Sequence, residues 1–144
     1  MIYTLKNIKD YQKENSIILK AKLTGNNSHP NYVLCNKDGI TFKLSNGDII
    51  NIPQNYKWDG SSVPRIFWWF FVPDGDFEVA SLIHDYLYEN KKQLKYNRKF
   101  SDTEMLVWSN EVNGTNNRSF RNFDNLLRYY VVRLFGFSIW NKRK

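Results

Sequence analysis

An α+β fold, an N-terminal antiparallel β-sheet with a hairpin followed by three helices, is what this sequence predicts, on three observations. Strand-like patterning occupies residues 1–57, helical periodicity occupies residues 74–135, and an Asn-Gly pair sits between two apolar alternating runs. The remaining stretch, 136–144, reads as a basic tail. A chain of 144 residues has the length of one domain, so a single domain over 1–144 is expected.

The strands come first. Ser16 to Thr24 is rich in β-branched and aliphatic residues, and Ile40-Thr41-Phe42-Lys43-Leu44 alternates apolar with polar. Asn46-Gly47 supplies the positive φ that a tight turn needs before Ile49-Ile50-Asn51-Ile52, and Pro53 ends the second strand. Gly25 to Pro30 is a loop by composition, and His29 within it reads as a solvated residue.

The helices follow. Asp74-Gly75-Asp76 offers an N-cap, after which Val79, Leu82, Ile83, Tyr86 and Leu87 trace one apolar face up to about Asn90. Lys91 to Lys99 reads as a polar, basic connector. Ser101-Asp102-Thr103-Glu104 matches a capping box, and Met105, Val107, Trp108 and Val112 give the next helix its apolar side before Asn113-Gly114 closes it. In the last helix, over 119–135, Phe120, Phe123, Leu127, Tyr130, Val131 and Leu134 recur at helical spacing, with Arg121 and Arg128 on the solvated face.

Composition excludes several classes. A hydrophobic content of 42% with 17% aromatics is too rich for a disordered chain. A single cysteine, Cys35, allows neither an internal disulfide nor a cysteine-based zinc cage. Met1 to Lys6 lacks the basic-then-apolar pattern of a secretion signal, so no secretion is expected. The run Ile66 to Val72, containing Trp68, Trp69 and Phe70, is too short to span a bilayer. It is a candidate contact surface for a phospholipid membrane or for another protein, and equally a core segment. The net charge is +7, and residues 114–144 hold seven basic residues against the single acid Asp124. Nucleic-acid binding is the weaker reading of that bias, because the helical periodicity already accounts for the aromatics among the arginines.

The chemistry concentrates between Trp58 and Asp102. His84 and Asp85 are consecutive on a helix, so their side chains diverge by about 100° and each needs another partner. A carboxylate facing a loop with open backbone carbonyls suits calcium, and Asp59-Gly60-Ser61-Ser62 is such a loop. A histidine beside that cation can activate water if a second carboxylate orients its ring. Asp102 opens the next helix and meets His84 only if the helix packing offset allows. Each residue also has a plainer role open to it: His84 as a core histidine, Asp85 as a surface charge, Asp102 as part of a cap, Asp59 as a turn former.

The run Trp58-Asp59-Gly60-Ser61-Ser62-Val63-Pro64-Arg65, then Ala80, His84-Asp85-Tyr86-Leu87-Tyr88, Asp102 and Val132-Arg133-Leu134-Phe135-Gly136, resembles a family of short proteins of unknown function common in bacteriophages and prophages. The resemblance covers about residues 50 to 140 and implies a phage origin, and with it the host cytoplasm or a virion as the location and a phage or host protein as a partner. The order of motifs is also distantly similar to that of bacterial phospholipases of the A2 type. That similarity implies a calcium-dependent ester hydrolase with His84 as general base, Asp102 as its orienting partner, and Asp59, Asp85 and backbone oxygen at Gly60 as calcium ligands. Tyr88 would steady the pair, and Ser61 stands where those enzymes carry a cysteine. The rival is a non-enzymatic phage protein, a virion component or an inhibitor of a host factor, that binds through aromatic and basic surface.

Overall fold

Between Leu44 and Asp48 the chain reverses direction as its Asn-Gly pair dictates. Gly47 takes φ of +94°, its N–H donates to Leu44 O at 3.0 Å, and the Asp48 carbonyl accepts from Leu44 N at 2.8 Å. The Asn46 side chain ties down the turn from both ends, accepting from Asp48 N and donating to the Asp48 carboxylate. The structure is a computed structural model and describes residues 1–8, 21–24, 31–58, 77–112 and 118–142. These fall into two units, Met1–Asp59 and Gly60–Lys144.

The first unit holds two three-stranded sheets built from β1 (Ile2–Tyr3), β2 (Ala21–Thr24), β3 (Asn31–Leu34), β4 (Ile40–Lys43), β5 (Ile49–Ile52) and β6 (Lys57–Trp58). One sheet has the order β1-β4-β5 and the other β2-β3-β6. The hairpin β4–β5 is antiparallel in the register Ile40 with Ile52 and Phe42 with Ile50, and those four side chains are buried. On the opposite face Asn51 Nδ2 donates to Thr41 Oγ1 at 2.7 Å. The period-2 pattern therefore sets both faces. One feature departs from the antiparallel expectation: β1 pairs with β4 in parallel, so this sheet is mixed. Of the expected strand from Ser16 to Thr24, residues 21–24 form β2; residues 16–20 and the loop at 25–30 with His29 lie outside the described residues.

The second unit is helical: α1 (Phe77–Glu89), α2 (Lys91–Leu94), α3 (Arg98–Val112), α4 (Arg118–Phe135) and α5 (Phe137–Lys142). The three long helices match the three expected, and α1 packs on α3, which packs on α4. Among the described residues no helix is long and apolar enough to cross a membrane.

Three local expectations are corrected. The connector expected at 91–99 is shorter, because Lys91–Leu94 forms a helical turn ended by Lys95 in the left-handed region, at φ of +60°. The helix expected to begin at a Ser101–Glu104 capping box begins earlier. Asn97 Oδ1 accepts from Phe100 N at 2.8 Å and the Asn97 carbonyl accepts from Ser101 N, so Asn97 caps α3 and Ser101 to Glu104 lie within it. An asparagine one turn upstream satisfies the open amides first, which frees Ser101, Asp102 and Glu104 to be buried.

The third correction concerns α4. Val131 is buried as expected, but Leu127, Tyr130 and Leu134 are 40%, 55% and 73% exposed, while Arg128 and Val132 are buried. The helix is apolar on more than one side, so periodicity alone does not choose which side turns inward. The side chains of Phe120, Arg121 and Phe123 lie outside the described residues.

Candidate functional site

Helix α1 carries the histidine within its most buried stretch. From Val79 to Tyr88 every side chain is buried except that of Tyr86. The apolar positions read from the sequence account for Val79, Leu82, Ile83 and Leu87. The remaining turns bury Ser81, His84, Asp85 and Tyr88, whose polar atoms must then find partners inside the protein.

His84 finds Asp102. Its Nε2 donates to Asp102 Oδ1 at 2.8 Å, and both side chains are at most 1% exposed. The helix offset that the sequence leaves open is thus one that brings the two together. Tyr88, one turn after His84 on α1, donates its hydroxyl to the same oxygen at 2.5 Å, and its ring lies 4.1 Å from the imidazole. The other oxygen, Oδ2, accepts from Arg133 on α4 at 3.0 Å. Asp102 therefore receives donors from three residues on two helices other than its own.

On the far side of the ring, His84 Nδ1 stands 3.7 Å from Asp85 Oδ1. That is too long for a hydrogen bond and within range of charge attraction. With a carboxylate accepting at Nε2, the neutral imidazole carries its proton there and leaves Nδ1 as the basic nitrogen.

Charge follows from these contacts. Burial by itself would depress the His84 imidazole, but the hydrogen bond to Asp102 and the nearby Asp85 carboxylate outweigh it and hold the ring above its usual value of 6.5. Burial would raise the Asp102 carboxyl, yet the bonds from His84, Tyr88 and Arg133 hold it below its usual 3.8. Burial, reinforced by the Asp102 charge, pushes the Tyr88 phenol far above its ordinary range, so it stays a donor.

Of the residues singled out in the sequence, the structure brings together His84, Asp85, Tyr88 and Asp102. Asp59, Gly60, Ser61, Trp68, Trp69 and Phe70 lie outside the described residues. Among the described residues no group of three or more His, Cys, Asp or Glu side chains is arranged to hold a metal ion. Arg133 is the residue that sequence reading missed. It sits among the basic residues of the C-terminal third, and the signal that could have found it was its place in the Val132-Arg133-Leu134-Phe135-Gly136 run that carries the family resemblance.

Comparison with known proteins places the chain by family. The family described as "Protein of unknown function (DUF1353)" matches residues 37–132, well over half of the chain and including His84, Asp85, Tyr88 and Asp102. No curated protein and no solved structure matches it.

Proposed function

We propose, for this chain, which belongs to the DUF1353 family of unknown function, the role of a phage-encoded ester hydrolase of phospholipase A2-like chemistry. The observation that carries the reading is the buried His84–Asp102 hydrogen bond with Tyr88 on the same carboxylate oxygen. A base needs a second group that fixes its ring and steadies the imidazolium it becomes. Asp102 fills that place, and Nδ1 is left to take a proton from water.

Proton movement in this reading is simple. Water loses its proton to His84 Nδ1 as its oxygen attacks the ester carbonyl carbon, and His84 then returns a proton to the departing alkoxide. Asp102 keeps its charge throughout, since His84, Tyr88 and Arg133 all favour the ionised form.

A calcium ion is implied by the resemblance. Asp85 has the oxygen chemistry that a hard cation takes; the other ligands that the resemblance implies, Asp59 and backbone oxygen at Gly60, lie outside the described residues. Calcium, when bound, supplies positive charge that stabilises the oxyanion formed at an ester carbonyl.

A second reading is favoured by one observation, the burial of His84 at 1% exposure. In it the network is structural, and the protein is a virion component or an inhibitor of a host factor. The outward face of α4, with Leu127, Tyr130 and Leu134 exposed, then supplies its binding surface. Hydrolysis of a mixed phospholipid panel with and without calcium separates the two. Calcium-dependent fatty-acid release supports the hydrolase, and a silent panel supports the second reading.

A further inference from the structure

We infer that Arg133 is a positioning residue for the His84–Asp102 pair, and that residues 132–140 form a clamp fixing the plane of the Asp102 carboxylate. Its effect on turnover rests on the hydrolase reading, whereas the clamp itself rests on geometry alone.

A carboxylate turns readily about its last side-chain bond, which is a broad, roughly two-fold torsion. Asp102 Oδ1 takes both His84 Nε2 and Tyr88 Oη, and a donor on Oδ2 is what stops the group from pivoting off that line. Arg133 is that donor, at 3.0 Å, and with it in place Asp102 is 0% exposed.

Arg133 is itself held. Arg98, in the first turn of α3, donates through one guanidinium nitrogen to the Arg133 carbonyl at 3.0 Å and through another to the Val132 carbonyl at 3.4 Å. Arg98 and Asp102 lie four residues apart on α3 and so share a face. The start of α3 thus grips the end of α4 by its backbone, and the end of α4 grips α3 in return through the Arg133 side chain. Arg98 also sits over the Phe137 ring, 5.9 Å from its centroid.

Tyr88 is fixed from the same direction. The Trp140 ring meets it edge-on at 4.9 Å, and the Lys91 ammonium, 4.6 Å from the centroid of the Trp140 ring, donates to the Trp140 carbonyl. Of the three donors on Asp102, Arg133 therefore belongs to residues 132–140 and Tyr88 is packed against them.

The test reads the His84 Nε2 proton directly by NMR. A proton held against a buried carboxylate gives a strongly deshielded, slowly exchanging resonance, and its loss in H84N assigns it. Arg133→Met is expected to lose that resonance or to speed its exchange at least ten-fold, and Arg133→Lys to retain it. If Arg133→Met does not fold, Arg133→Gln takes its place, with exchange several-fold faster than in the wild type.

An unchanged resonance in a folded Met or Gln variant overturns the proposal, because a residue that merely packs would lower the melting temperature and leave the proton alone. Where the wild type hydrolyses ester, Arg133→Met lowers kcat about ten-fold with KM little changed, and Arg133→Lys restores most of it. A lost resonance with no hydrolysis by the wild type upholds the clamp and sinks the hydrolase. Hydrolysis with kcat and resonance both untouched does the reverse.

Discussion

A Cβ placed on Gly136 would stand 3.2 Å from the Tyr88 hydroxyl oxygen and 2.5 Å from the Val132 carbonyl oxygen. The break between α4 and α5 is therefore shaped to the tyrosine that donates to Asp102. Gly136→Ala forces backbone against backbone, since the Val132 oxygen also accepts from Gly136 N at 2.7 Å and has no flexible end to swing away. A loss of about 1–3 kcal/mol is expected, the usual cost of overpacking. Thermal melting checks it, and an unchanged melting temperature would show that the corner yields freely.

Asp102 predicts a response to acid. Its folded carboxyl lies below the ordinary value of 3.8, so its contribution to stability is present above that value. The contribution is lost as pH falls below about 3.8 and through the lower folded value. Asp102→Asn removes this titration while leaving the other carboxylates in place. Urea unfolding from pH 6 down to pH 2 should show wild-type stability falling more steeply than that of Asp102→Asn; equal slopes would mean that Asp102 is not held ionised.

The inward face of α4 gives a contrast between neighbours. Val132 is 0% exposed and Leu134 is 73% exposed. Val132→Ala should cost about 1–3 kcal/mol through the cavity and lost burial. Leu134→Lys should stay within about 0.5 kcal/mol of the wild type, as surface changes do. Denaturant midpoints of the two variants decide it, and a costly Leu134→Lys would mean that this outward face is covered in solution.

These residues also show what the sequence carried. The hairpin was legible because Asn46-Gly47 and the alternation on either side say the same thing. His84, Asp102 and Tyr88 were legible as an ordered pattern, although only tertiary packing reveals that the three meet. The inward side of α4 was not legible. Leu126, Leu127, Tyr130, Val131, Val132, Leu134 and Phe135 leave the helix apolar around much of its circumference. The choice falls to contacts from elsewhere, the Arg133 bond to Asp102 and the close approach of Gly136 to Tyr88. The start of α3 was misread for a similar reason. Ser101–Glu104 has the letters of a capping box, but Asn97 caps first, and Glu104 instead accepts from Trp108 Nε1 at 3.1 Å inside the helix.

In the proposed hydrolase, His84, aligned by Asp102, takes a proton from water. The most direct measurement is fatty-acid release from phospholipid vesicles in calcium by the wild type and by His84→Asn, with the melting of both recorded. Asparagine keeps hydrogen-bonding capacity and does not accept a proton near neutral pH. The expected result is release by the wild type, none above background by a folded His84→Asn, and no release by the wild type once calcium is chelated. A wild type that releases nothing, beside a His84→Asn variant destabilised by about 1–3 kcal/mol through its broken buried bond, would contradict it and leave the pair as a structural element.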